Sequence, residues 1–139
     1  MDFTHFNVNW IGVVLAAVAS MIVGMVWYMG LSKQWIAATG KTREQLLGSG
    51  GSATPFIIAF VCQLVMAYFL ALITPALMGG AITVGGGIVV GVHMWLGFML
   101  TSMVLNHRYQ NMSWNLTLID GGYLLAVMIV QGLVIGLFG

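Results

Sequence analysis

The chain has 139 residues, 60% of them hydrophobic and 5% charged, with four Lys/Arg against three Asp/Glu. So few charges cannot coat a soluble domain, in which about a quarter of residues are ordinarily charged, so lipid is expected to cover most of the surface. A formal charge of +1 offers no basic patch for nucleic acid, and the single cysteine, Cys62, excludes a disulfide framework or a multi-cysteine metal site.

The mean hydropathy is +1.03, and the length accommodates one domain, residues 1–139. Met1 to Asn9 carries Asp2 and no Lys or Arg, unlike a signal peptide. Ala17-Val18-Ala19 resembles a cleavage site, but the apolar run continues to Tyr28, which predicts a retained anchor. A spanning helix needs about 20 apolar residues, and the first such stretch covers residues 10–31. The loop that follows, 32–54, holds Lys33, Lys41, Arg43 and Glu44. Thr42 and Gln45 have capping-box spacing, predicting a short interfacial helix of about two turns that ends at Gly48. Trp35, Ile36, Leu46 and Leu47 are placed to dip into the headgroup region, and Gly48 to Ala53 reads as a flexible connector.

The second span covers 55–77, with Thr54 as N-cap and Pro55 at the first helical position. Cys62, inside it, reads as a small buried hydrophobe. Met78-Gly79-Gly80 makes a short uncharged connection to a third span, 81–105, whose Gly85-Gly86-Gly87 is tolerable near a helix start. The connection 106–112 carries His107 and Arg108, and the fourth span covers 113–138. The predicted fold is an all-α membrane protein, a four-transmembrane-helix bundle with one interfacial helix. All four Lys/Arg fall in the first and third connections, so the positive-inside rule places both loops in the cytoplasm and both termini outside. Trp10, Trp27, Tyr28, Trp35, Tyr109 and Trp114 fall near span ends, as an aromatic belt requires.

Helices in lipid associate by close packing and polar contacts. Small residues recur at every fourth position as Gly12, Ala16, Ser20 and Gly24 in the first span, Gly87 and Gly91 in the third, and Gly132 and Gly136 in the fourth. Each stripe fits packing within one bundle or a homo-oligomeric interface.

The buried polar groups form a second pattern. Counting about 1.5 Å per residue from the cytoplasmic ends puts Asp120 at about 10 Å depth, Gln63 at about 12 Å, and His93 and Tyr123 at about 15–18 Å, with Ser20 level with them. Intramembrane ionisable groups are costly and point to function by default. One reading is a proton-coupled or polar-ligand site built from Asp120, His93, Tyr123 and Gln63, with Tyr123 bridging His93 to Asp120. The other is an interhelical hydrogen-bond network that fixes helix register. Asp120 is also near enough to the interface to reach the cytoplasmic headgroups.

Other chemistry finds little support. His5 and His107 lie outside the spans, so no bis-histidine haem is expected. The eleven methionines lack a metal-binding motif and read as core filler. No phosphate loop, nucleophile–base pair or zinc spacing occurs, so neither a cofactor nor a metal is expected.

Asn9-Trp10, Gly24-x-x-Trp27-Tyr28, Trp35, Gly91, Trp95-Leu96-Gly97-Phe98, Asn106, Trp114 and Ile119-Asp120-Gly121-Gly122-Tyr123 appear in this order over almost the whole chain. This pattern resembles the bacterial membrane-protein family catalogued as domain of unknown function 1761. The resemblance implies a small four-span protein of the bacterial cytoplasmic membrane and no particular activity. It also implies that Asn more often stands where this chain has Asp120, which favours a hydrogen-bonding role there over a proton relay. The expected function is an accessory or structural one, binding membrane lipid or another membrane protein, with homo-oligomers expected. The alternative is an oligomeric small transporter or channel; an intramembrane enzyme using His93 and Asp120 lacks a nucleophile or metal set.

Overall fold

The computed structural model describes residues 6–47 and 53–139, and among these there are helices and no strands. Helix α1 covers Trp10–Gly30, α2 Ser32–Thr39, α3 Arg43–Leu47 and α4 Thr54–Leu77. A third long helix, Val84–Tyr109, consists of α5 (Val84–Met94), a π-helical segment (Trp95–Leu100) and α6 (Thr101–Tyr109); α7 covers Trp114–Phe138. The four long helices are each long and apolar enough to cross a membrane.

Local chemistry explains most of the boundaries. Asn9 starts α1 by accepting the N–H groups of Ile11 at 3.1 Å and Gly12 at 3.5 Å. Its amide also donates to the Phe138 carbonyl at 2.6 Å, tying the start of α1 to the end of α7. Gly40, at φ 72°, stops α2 in a left-handed conformation that a side chain would disfavour. Thr42 and Gln45 form the reciprocal capping box at the start of α3. The expected end at Gly48 lies outside the described residues, as does the connector through Ser52.

Several expectations are corrected. Thr54 is the first residue of α4, with Ala53 as its cap, so Pro55 is second; proline is still tolerated there because a first-turn N–H has no intrahelical acceptor. The third long helix starts at Val84, not Ala81, because Gly79 and Gly80 turn with positive φ and Thr83 supplies the cap, its hydroxyl accepting Gly86 N–H at 2.9 Å. It runs on to Tyr109, past the expected end at 105, and puts His107 and Arg108 in its last turn, where cations favour the helix dipole. Residues 32–39, expected as loop, form α2, which lies against the start of α7. Cys62 faces outward from α4 and is not buried.

Helix α7 is the centre of the molecule, packing most extensively on α5 and α1, while α4 fits between α1 and α5. Small residues allow this. A Cβ at Gly87 would collide with the Gly132 carbonyl, one at Gly136 with Thr83 and Val84 backbone, and one at Gly91 would lie 2.7 Å from the Met128 carbonyl oxygen. In α1, Gly12 faces Phe138 and Gly24 faces the Tyr123 ring, with Ala16 and Ser20 fully buried between them. The stripes are therefore occupied within one chain. The core is thin (Val13, Ala16, Ala67, Leu70, Val90 and Met128 among others), and the outside carries large apolar side chains such as Val26, Met29, Phe56 and Phe98.

The Ser113 hydroxyl donates to the Ala38 carbonyl at 2.6 Å, so the first and third connections meet at one end of the bundle. The Asn9–Phe138 bond closes the other end.

Candidate functional site

The motif Ile119-Asp120-Gly121-Gly122-Tyr123 occupies the second and third turns of α7, and aromatic side chains from three other elements converge on it. Tyr28, at the end of α1, donates its hydroxyl to Asp120 Oδ1 at 2.5 Å. Trp27, one residue earlier, donates its indole N–H to the Ile119 carbonyl at 3.1 Å. Trp95, at the start of the π-helical segment, donates to the Gly121 carbonyl at 2.9 Å. The Trp35 indole of α2 approaches the Asp120 carboxylate. Trp35 also meets Tyr28 edge-on at 5.7 Å between centroids.

The glycines make this possible. A Cβ on Gly122 would lie 2.9 Å from the Trp27 ring, so the indole can lie directly on the α7 backbone. Gly24 leaves room for the Tyr123 ring, which meets Tyr28 edge-on at 5.1 Å. The Gly24-x-x-Trp27-Tyr28 and Ile119-to-Tyr123 patterns are thus two halves of one clasp between α1 and α7. Trp27, Tyr28 and Trp35, expected in an outward aromatic belt, turn inward because each has a polar acceptor there; Trp10, Tyr109 and Trp114 remain outside.

A second set of polar bonds continues toward the middle of the bundle. Gln131, fully buried on α7, donates to the side-chain oxygen of Gln63 at 3.1 Å and to its backbone carbonyl at 3.2 Å. Gln63 donates in turn to the Tyr123 hydroxyl at 2.7 Å. The Gln131 side-chain oxygen is itself buried without a partner among the described residues. Toward the other end, Thr117 accepts from Arg108 at 2.9 Å and pairs with His107 Nδ1 at 2.7 Å. Arg108 also bonds the carbonyls of Met112 and Ser113 and lies 3.6 Å over the Trp114 ring. Thr117, Asp120, Tyr123 and Gln131 thus form a polar ladder about 20 Å long on α7.

The expected cluster is only partly assembled. Gln63 and Tyr123 meet, and Asp120 lies beside them, partnered by Tyr28. His93 does not join. It lies on the exposed face of α5, where Nδ1 bonds its own helix at Val89 O, 2.7 Å away, so Tyr123 bridges nothing to it. Depth counting puts residues in a layer but does not fix the face they occupy, and His93 is on the wrong one. Ser20 is buried but donates to Ala16 O of its own helix at 2.8 Å. The sequence reading also missed Tyr28, Trp27, Trp95 and Gln131 as members. The order of Trp27-Tyr28 and Gly121-Gly122 in the resemblance pattern was the available signal, read there as span markers.

Asp120 lines neither of two cavities in the bundle. One of ≈ 170 Å³ lies near Asn9, Pro75 and Ile135. One of ≈ 560 Å³ opens between the end of α1, α2 and the first turns of α7.

These features define a class: an all-helical bundle of four potential membrane-crossing helices clasped by a buried aromatic and amide network. The profile of a family described as "Protein of unknown function (DUF1761)" matches residues 11–136, and the chain belongs to that family. No curated protein and no solved structure matches it.

Proposed function

We propose that this chain is an accessory protein of the bacterial cytoplasmic membrane, with its termini outside, that docks another membrane protein or a second copy of itself and associates with lipid. The observation that carries the reading is His93. Its Nδ1 is taken up by Val89 O, but on the outward face of a helix at mid-membrane depth the other ring nitrogen would find no partner in hydrocarbon, and intramembrane ionisable groups ordinarily face protein or water. Gly97, one turn further along, has open space around it, so another helix can approach closely. The third long helix is the least buried of the four. The inward polar groups, by contrast, largely satisfy one another.

The test is site-specific photocrosslinking in native membranes from Phe98, which is 68% exposed on the same helix, with Ile57 on α4 as the comparison position. The expected result is one reproducible adduct from position 98, lost in His93→Leu, and none from position 57. No protein adduct from position 98 overturns the reading. Impermeant thiol labelling of Ser32→Cys in a Cys62→Ala background tests orientation; labelling from the outer side would invert it.

The polar ladder on α7 favours a second reading, an oligomeric small transporter or channel. That reading requires solute or proton flux in proteoliposomes that is lost in Asp120→Asn.

A further inference from the structure

The cleft between α1, α2 and α7 changes character along its length. At its outer rim stand Gln34 of α2 and Asn115 of α7; deeper along α7 and α1 its walls are Leu118, Ile119, Leu31 and Trp27. On α7 the step from Asn115 to Leu118 is about 4.5 Å along the axis, so the change from polar to apolar occurs within one turn. The Trp27 ring that forms one wall is held in place by its bond to the Ile119 carbonyl. The α2 wall is held by the Ser113–Ala38 bond. The cleft is therefore a formed feature, and its ≈ 560 Å³ falls within the range of small-molecule sites, roughly 300–1,000 Å³.

Charge identifies the occupant. All four Lys/Arg lie in the segments that meet at this end of the bundle, and Lys33 is adjacent to the rim residue Gln34. An anionic head with an apolar tail matches both the amide-lined rim, with Lys33 next to it along α2, and the apolar floor. A free anion would leave the apolar part empty.

We propose that this cleft holds one anionic phospholipid, its phosphate at Gln34 and Asn115 near Lys33 and an acyl chain along Trp27, Leu31 and Leu118. The proposal rests on the membrane reading above and gives its lipid association a place. It does not depend on which leaflet faces the cytoplasm.

The experiment is native mass spectrometry of the full chain in mild detergent, titrated separately with phosphatidylglycerol and phosphatidylcholine. The expected result is retention of one phosphatidylglycerol in preference to phosphatidylcholine. Lys33→Ala should weaken that retention about fivefold, the effect of one cation near a lipid surface. Ala37→Trp, which fills the cleft from its exposed α2 wall, should abolish it, and Lys41→Ala should leave it unchanged. Equal retention of the two lipids overturns the proposal, as does phosphatidylglycerol that remains bound in Ala37→Trp with helix content intact. Release of a bound protein instead of lipid by Ala37→Trp also overturns it. Crosslinking from position 98 probes a different face, so the docking and lipid readings can fail independently.

Discussion

Gly91 and Gly97 lie on the same long helix, and the same substitution at each should have opposite effects. A Cβ at Gly91 would lie 2.7 Å from the Met128 carbonyl oxygen, where ordinary contact begins at 3.4 Å. Helices α5 and α7 must then part by about 0.7 Å, a gap that forfeits roughly a quarter to a half of the dispersion attraction of the facing atoms. Overpacking of this kind costs about 1–3 kcal/mol. At Gly97 nothing lies within 4 Å of the new atom, so Gly97→Ala should only relieve the entropic cost of glycine, a gain of about 0.5–1 kcal/mol. The assay is reversible unfolding of each variant in one detergent, followed by helical circular dichroism. Equal effects at the two positions would refute the α5–α7 packing described here. A destabilising Gly97→Ala would show instead that the outer face is covered in the unit being unfolded, as a second copy would cover it.

Three further predictions use the same unfolding measurement. Tyr28→Phe removes the donor to Asp120 and should cost about 1.5–3 kcal/mol, whereas Asp120→Asn keeps an acceptor for Tyr28 and should cost no more than about 1 kcal/mol; the reverse order would assign the carboxylate charge a role beyond hydrogen bonding. Gln131→Leu should cost about 0.6–1.7 kcal/mol, the range of interhelical hydrogen bonds in membranes, and a larger loss would mean that Gln63 and Tyr123 also lose their positions. Asn9→Ala should cost about 0.5–2 kcal/mol as a lost cap. Asn9→Ser, which can cap α1 but reaches less far toward Phe138, should recover only part of that; full recovery would show that the tie to α7 is without weight.

Much of the architecture was legible because the hydrophobic criterion is one-dimensional. A run of about 20 apolar residues is a property of the chain alone, and four such runs predict four long helices. Local caps are equally legible: Thr42 and Gln45 satisfy each other across three residues, whatever the remaining chain does. The end of the third long helix was not legible, because His107 and Arg108 look like loop residues until Thr117 and the carbonyls of Met112 and Ser113 supply their partners. The π-helical segment at Trp95–Leu100 has no hydrophobic period of its own to announce it; the Trp95 bond to α7 within it is a tertiary contact.

The polar residues show the same division. The sequence by itself determined that Asp120, Gln63, Tyr123 and His93 lie deep in apolar segments and at similar levels, since depth follows from counting along a helix of known rise. Only the tertiary structure decided that His93 faces outward, that Tyr28 holds Asp120, and that Gln131 completes the link to Gln63. Those outcomes depend on the rotation of each helix about its axis. In a helix that is apolar nearly all round, no amphipathic stripe reveals that rotation. It is set here by which glycines let which backbones touch: Gly87 against Gly132, Gly24 against Tyr123, and Gly122 beneath Trp27.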